Sequence, residues 1–336
     1  MFVTEPGFFG DANIAEAFHI ERCFTSAPRF KNFCYFDLFN MQASHSKDIT
    51  PHTSFRELAR ALTIVENDLP GSDDLLKGLH FKKNVPVIGI TGPPGAGKST
   101  LVNALISELA FNNNKVAVLA VDPTSPFNFG SLLGDRIRMA GHFNHPDVFI
   151  RSLATRGSLG GLSAKTIEMA DVLRAAGFDY VLIETVGVGQ SEVEIAGLAD
   201  ITLVVLVPEG GDEIQTLKSG MMEIADAFVV NKADREGADI FANNLKKMVQ
   251  QKGKKVPVFK TIASQNTGIA EIAEFIKRQQ SSKNDRKEFL LAEKAYKLIR
   301  QRRMAGVNRA GLQQAIAEAM DKPGFNLYSF IEKIYQ

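Results

Sequence analysis

Apolar and polar positions change their rhythm twice along the chain. From Val85 to about Arg278, short β-branched runs alternate with stretches of 3.6-residue periodicity. The runs are VPVIGIT (85–91), KVAVLAVD (115–122), VFIRSL (148–153), DYVLIET (179–185), ITLVVLV (201–207), AFVVN (227–231) and PVFKTIA (257–263), and each predicts a strand. Helical spacing fills most of the intervals, as in Thr100–Leu109 and Ser163–Ala175. Continuous apolar strands separated by helices predict a doubly wound α/β domain, its mainly parallel sheet covered on both faces. Upstream, Ser54 and Glu57 fit a capping box, and Phe55, Leu58, Leu62 and Val65 share one helical face. That helix is expected to end near LPGSDD (69–74). Beyond the charged link SSKNDRK (281–287), three further helical patterns predict a separate arm.

The first 40 residues fit neither rhythm. They hold nine of the 24 phenylalanines and both cysteines, Cys23 and Cys34. Glu5, Asp11 and Glu16 interrupt what a secretory signal would need as one apolar stretch. Five acids against three bases do not suit a transit peptide. Residues 1–46 therefore read as an appendage, either translated from an upstream start or a family-specific extension. The remaining segments are a helical segment (47–82), an α/β domain (83–282) and a helical arm (283–336).

Composition narrows the partners. The 336 residues carry 39 Lys plus Arg against 38 Asp plus Glu, a net charge of +1. A nucleic-acid or anionic-membrane surface calls for a basic excess, so neither partner is expected. Two cysteines cannot build a disulfide scaffold or a four-thiolate zinc site. No apolar run approaches the roughly 20 residues of a spanning helix, and a cytoplasmic, bacterial-type protein is expected.

The chemistry concentrates in a few loops. In ITGPPGAGKST (90–100), Gly92 to Ser99 satisfies GxxxxGK[ST] between a predicted strand and a predicted helix, the context of a nucleotide phosphate loop. Gly92, Pro93, Pro94, Gly95, Ala96 and Gly97 form the loop, and Lys98, Ser99 and Thr100 open the helix. Inward-pointing N–H groups and the helix N-terminus favour phosphate there. Lys98 is expected to neutralise β- and γ-phosphate charge, and the Ser99 hydroxyl to ligate Mg²⁺. NKAD (231–234) follows a predicted strand, the position at which P-loop GTPases carry NKxD. A buried Asp234 would accept from guanine N1–H and its exocyclic amine. Adenine lacks that donor pair, so the nucleotide is expected to be GTP, with GDP as product. Asn231 would brace the adjoining loops, and the Lys232 stem would lie along the base.

DYVLIETVGVGQ (179–190) is an apolar strand ending in an acid, which would place Glu184 beside the Mg²⁺ shell and the Gly187 amide near the γ-phosphate. Glu stands here where Ras-like proteins have Asp. Asp122 ends another buried strand, placed either to orient the attacking water or to hold a Mg²⁺-bound water. Asp135 lies in a loop able to close over the γ-phosphate. Arg136 and Arg138 are either charge stabilisers supplied in cis or residues of a solvated helix. In TIASQNTGI (261–269), Ile262, Ala263 and Ser264 occupy the loop whose backbone amides would touch guanine, with Ile where many relatives have Ser.

Together these segments resemble the methylmalonyl-CoA mutase-associated GTPases, the MeaB- or ArgK-like family of the SIMIBI branch of P-loop GTPases. The resemblance runs from about residue 53 to 336. It rests on GPPGAGKST (92–100), VAVLAVDPTSP (116–126), SLLGDRIRM (131–139), RSLATRGSLGGLS (151–163), IETVGVGQSEVEIAGLAD (183–200), PEGGDEIQTLKSGMMEIAD (208–226) and NKAD. It implies a P-loop NTPase fold with an N-terminal helical segment and a C-terminal dimerisation arm, hence a homodimer. It implies a chaperone of an adenosylcobalamin-dependent acyl-CoA mutase, in which GTP hydrolysis gates cofactor loading. The cobalamin adenosyltransferase joins the implied partners. The segment 208–220 matches a mobile switch with Lys218 at its distal end. Two other readings use the same fold. A nickel or zinc metallochaperone would need CxCC or His-rich tracts, whereas the six histidines are scattered. An amino-acid transport kinase would need the opposite nucleotide selectivity.

Overall fold

The structure is a computed structural model that describes residues 49–81, 84–111, 113–122, 139–154, 164–185, 194–208, 219–251, 256–280, 287–304, 306–321 and 324–335. The chain divides into Met1–Ser46 and Lys47–Gln336, and the described residues belong to the second unit.

Seven strands form one sheet: β1 (Val87–Thr91), β2 (Val116–Asp122), β3 (Val148–Ala154), β4 (Tyr180–Glu184), β5 (Ile201–Leu206), β6 (Ala227–Val230) and β7 (Val258–Lys260). Their order is β3-β2-β4-β1-β5-β6-β7, and every neighbouring pair is parallel. β1, β4, β5 and β6 are buried along their whole length, which is why they read as unbroken apolar runs. β7 is shorter than the run at 257–263 suggests. It pairs only with β6, and at Ile262 the chain leaves the sheet to bridge Thr267 in antiparallel fashion.

Helices cover both faces. In chain order they are α1 (Phe55–Glu66), α2 (Ser72–Lys77), α3 (Lys98–Ala110), α4 (Ala164–Ala175), α5 (Ser219–Ile224), α6 (Ala238–Gln251) and α7 (Ile269–Gln280), followed by α8 (Lys287–Met304), α9 (Arg309–Met320) and α10 (Leu327–Tyr335). On one face Leu101, Leu105 and Leu109 of α3 meet Ile88 and Ile90 of β1, together with Ile272 and Ile276 of α7. On the other, Leu58, Leu62 and Val65 of α1 join Leu173 of α4 against Val181 and Ile183. Phe55 completes that layer with Phe149 and Phe178, at ring distances of 5.5 and 6.1 Å. The Ser54–Glu57 capping box is formed: the Ser54 amide donates to Glu57 Oε2 at 3.1 Å, and the Glu57 amide donates to Ser54 Oγ at 3.3 Å. Among the described residues no helix is long and apolar enough to cross a membrane.

The winding reverses at β1. From β1 the chain moves through β2 and β3, returns as β4 to β1's flank, and continues from β5 on the opposite side. In open α/β sheets such a switch point opens a crevice at the carboxyl ends of the strands. The loop after β1 lies there.

Candidate guanine-nucleotide site

The segment from Gly92 to Gly97 joins β1 to α3 and takes a path only glycine tolerates at its key turns. Gly92 has φ +139°, and a Cβ there would lie 2.1 Å from the Val205 carbonyl oxygen of β5. Gly97 has φ +85° at the N-cap of α3, and its Cβ would fall 2.3 Å from Asn231 Nδ2. These two positions press the loop against neighbouring elements, so its backbone is held close to the sheet end. Pro94 and Gly95 form the exposed crest, while Ala96, Lys98 and Ser99 are buried and Pro93 and Thr100 are half-buried. The Lys98 ammonium reaches back over the loop and donates to the carbonyls of Gly92 (2.9 Å) and Pro93 (3.0 Å). A cation thus sits at the mouth of a helix N-terminus, the arrangement that favours a polyphosphate.

Two buried side chains bind this loop to the rest of the sheet end. Ser99 Oγ donates to Glu184 Oε1, the last residue of β4, at 2.6 Å. Asn231, directly after β6 and 2% exposed, donates from Nδ2 to the Ala96 carbonyl at 2.9 Å. Its Oδ1 accepts from Thr261 Oγ1 (3.1 Å) and from the Ala263 amide (3.2 Å). One amide side chain therefore joins the phosphate-type loop to the loop after β7, across 135 residues of sequence on one side and 30 on the other.

Lys232 takes a left-handed φ of +55°, which turns the chain out of the sheet, and the Ala233 amide donates to the Thr261 carbonyl at 3.0 Å. Asp234 is exposed in the turn that follows, not buried as the selectivity argument supposes. The reason is local: it stands past the end of β6, in a turn open to solvent. In the adjacent loop Ile262 is half-buried and its amide donates to Thr267, Ala263 is buried, and Ser264 is exposed. Asp122 is the last residue of β2, in register with Ala154 of β3. Asp135, Arg136, Arg138, Gly187 and Lys218 lie outside the described residues.

Residues 58–317 match the profile of the methylmalonyl-CoA mutase-associated GTPase MeaB. The chain belongs to that family. A putative GTPase of Pyrococcus horikoshii is 49% identical over 256 residues, covering 74% of this chain and 78% of the relative. The mouse mitochondrial methylmalonic aciduria type A homolog is 37% identical over 218 residues, 64% of this chain and 50% of its own length. A solved structure described as an LAO/AO transport system kinase superposes with a TM-score of 0.60 at 25% identity. It covers 87% of this chain and 98% of that one. The protein is accordingly a GTPase of the P-loop class and binds guanine nucleotide.

Sequence reasoning gave no bonding role to three members of the polar network around the site. Thr261 is fully buried and donates to Asn231. Thr185 and Thr91 are hydrogen-bonded to each other at 3.0 Å across the ends of β4 and β1. A polar residue ending an apolar strand was the available signal, but a partner 94 residues away is visible only once strand order is known.

Proposed function

We propose that this GTPase is a nucleotide-gated chaperone of an adenosylcobalamin-dependent acyl-CoA mutase, methylmalonyl-CoA mutase in the first instance. The support is the family's association, by name, with that mutase. Asn231 carries the mechanical part of the reading, because its buried bonds make the phosphate loop and the base loop one unit. A change at the phosphates can then be felt at the base, and the reverse.

In this reading Gly92 to Thr100 cradle the phosphates, and Lys98 exchanges its carbonyl partners for β- and γ-phosphate oxygens. Ser99 and Glu184 offer a hydroxyl and a carboxylate oxygen, hard donors that suit Mg²⁺. Bound there, Mg²⁺ would supply positive charge against the phosphate oxygens. Asp122 and Asp135 serve the metal shell or the attacking water, Arg138 the developing charge, and the Gly187 amide the γ-phosphate. Asp234 selects guanine, Lys232 lies along the base, and the loop Ile262–Ala263–Ser264 closes over it. Lys218 relays partner binding to the nucleotide.

The arm adds a homodimer to the proposal. Phe289, Tyr296 and Ile299 of α8 and Tyr328 of α10 are 53 to 79% exposed, more apolar surface than a solitary helical arm needs. The cobalamin adenosyltransferase is a further proposed partner, and the cytoplasm the proposed compartment.

The deciding experiment is co-purification of the full chain with the mutase in GDP and in a non-hydrolysable GTP analogue, beside Lys98→Ala and Asp234→Asn. Nucleotide-dependent capture is expected for the wild type, with Lys98→Ala losing GTP hydrolysis and Asp234→Asn shifting preference toward xanthosine triphosphate. Capture indifferent to nucleotide would remove the gating, and no capture would remove the mutase.

A further inference from the structure

The Ser99–Glu184 contact depends on where two strand ends stand relative to each other, and a second pair of buried side chains fixes that relation from behind. β1 and β4 run parallel with Ile90 opposite Glu184, and the Thr185 amide donates to the Ile90 carbonyl at 3.0 Å. One residue further, where the chain leaves β4, Thr185 Oγ1 donates to Thr91 Oγ1 at 3.0 Å. Both residues are sealed from solvent, at 1% and 0% exposure.

Alternation places this pair opposite the site. Ile88 and Ile90 of β1 face α3, so Val87, Gly89 and Thr91 face the other layer. Leu182 and Glu184 of β4 likewise face α3 and Ser99, leaving Ile183 and Thr185 on the opposite side. The strand ends are therefore tied to each other behind by Thr91–Thr185, while in front Glu184 is tied to Ser99 at the start of α3. Each threonine adjoins a site residue. Thr91 precedes Gly92, wedged on the Val205 carbonyl, and Thr185 follows Glu184. β-Branching restricts χ1 of both, so the bond constrains backbone with little rotamer slack.

We propose that Thr91 and Thr185 are positioning residues for the divalent cation of GTP hydrolysis, holding the Glu184 carboxylate in register with Ser99. The proposal rests on the reading of Ser99 and Glu184 as the cation's protein donors. Hydroxyls of this kind act through the ligands they orient, so their loss is felt in metal affinity before it is felt in nucleotide binding.

The test titrates Mg²⁺ in single-turnover GTP hydrolysis by the full chain, with nucleotide binding in EDTA and melting temperature measured alongside. Thr185→Val keeps the β-branched shape and removes the O–H donor. The Mg²⁺ concentration for half-maximal rate is expected to rise roughly 10-fold. Nucleotide binding in EDTA should be unchanged, and Thr185→Ser should restore the wild-type requirement. A hydroxyl that only stabilises the fold would lower the melting temperature and leave the Mg²⁺ requirement where it was, which overturns the proposal. Thr91→Val attacks the same bond from the acceptor side and carries the same expectation, should Thr185→Val fail to fold. Glu184→Gln distinguishes the two ways of failing. An unchanged Mg²⁺ requirement in that variant removes the cation site and the proposal with it. A raised requirement in Glu184→Gln but not in the threonine variants removes the hydroxyl pair alone.

Discussion

Every residue of β1, β4, β5 and β6 is buried, whereas on α8 the one described side chain with less than a tenth of its surface exposed is that of Lys294, at 7%. The catalytic domain is held by apolar contact on both faces of a sheet, a non-directional force that grows with area. The arm meets α4 and the 3₁₀ turn Ile195–Gly197, and among its described side chains the buried one there belongs to an ionic cluster. Lys294 lies in the field of Asp171 and Asp200, with Arg174 among them. Arg174 Nη1 is 3.6 Å from Asp171 Oδ1 and Nη2 is 4.0 Å from Asp200 Oδ2, while Asp200 also accepts from the Val87 amide at 2.8 Å. Burial depresses the Lys294 pKa despite the two carboxylates, and burial raises that of Asp171 despite the two cations. In both groups desolvation outweighs the attraction, so the pairing offsets only part of the cost of burying these charges.

The sharpest way to break this contrast is Asn231→Ala. Loss of its three buried bonds should cost about 3 kcal/mol and leave partners unsatisfied in both loops. Guanine-nucleotide affinity should fall with it, as read by calorimetry and urea unfolding. A variant with unaltered affinity would show that the two loops do not need the bridge.

Lys294→Met tests the arm: desolvation outweighs attraction at this ammonium, so its removal should raise stability slightly at neutral pH, with nucleotide binding untouched. It removes a charge that lowers the Asp171 pKa, so the carboxyl should titrate still further above its ordinary 3.8. The sign follows. A folded-state pKa above the unfolded one gives stability that is full below 3.8 and lost as pH rises through the folded value. The variant should therefore gain further on the wild type in mild acid. Urea midpoints at two pH values decide it, and a pH-independent difference would assign the effect to packing rather than charge.

The smallest effect belongs to His142, in the domain but away from the site. Burial lowers its pKa below 6.5, a backbone hydrogen bond at Asn103 opposes this, and His145 adds to it. Between the folded value and 6.5 the unfolded chain holds the extra proton, so stability should fall as pH drops through that window. His142→Gln should flatten the acid slope of the melting temperature. An unchanged slope would transfer it to another group.

Much of this architecture is legible in the chain because its causes are local or periodic. The unbroken apolar runs mark strands buried on both faces, the Ser54–Glu57 spacing starts α1, and three helical patterns past residue 287 are three helices. Gly92 and Gly97 could be read as loop residues, but what they avoid, the Val205 carbonyl and Asn231, is supplied by β5 and the β6 end. PVFKTIA reads as a seven-residue strand from propensity alone. Its second half instead follows Asn231 and Thr267, whose bonds to Ala263 and Ile262 draw the chain out of the sheet.

Periodicity and turn chemistry act over a few residues, so the chain by itself marked the seven strands, the longer helices, the phosphate-type loop and the guanine signature. Strand order is settled by long-range pairing, and only that pairing sets Thr91 beside Thr185 and Ser99 beside Glu184. The same holds for Lys294, which looks like any solvated helix lysine until α4 and Asp200 are folded around it. Its burial is a property of packed surfaces, and no window of sequence contains both of them.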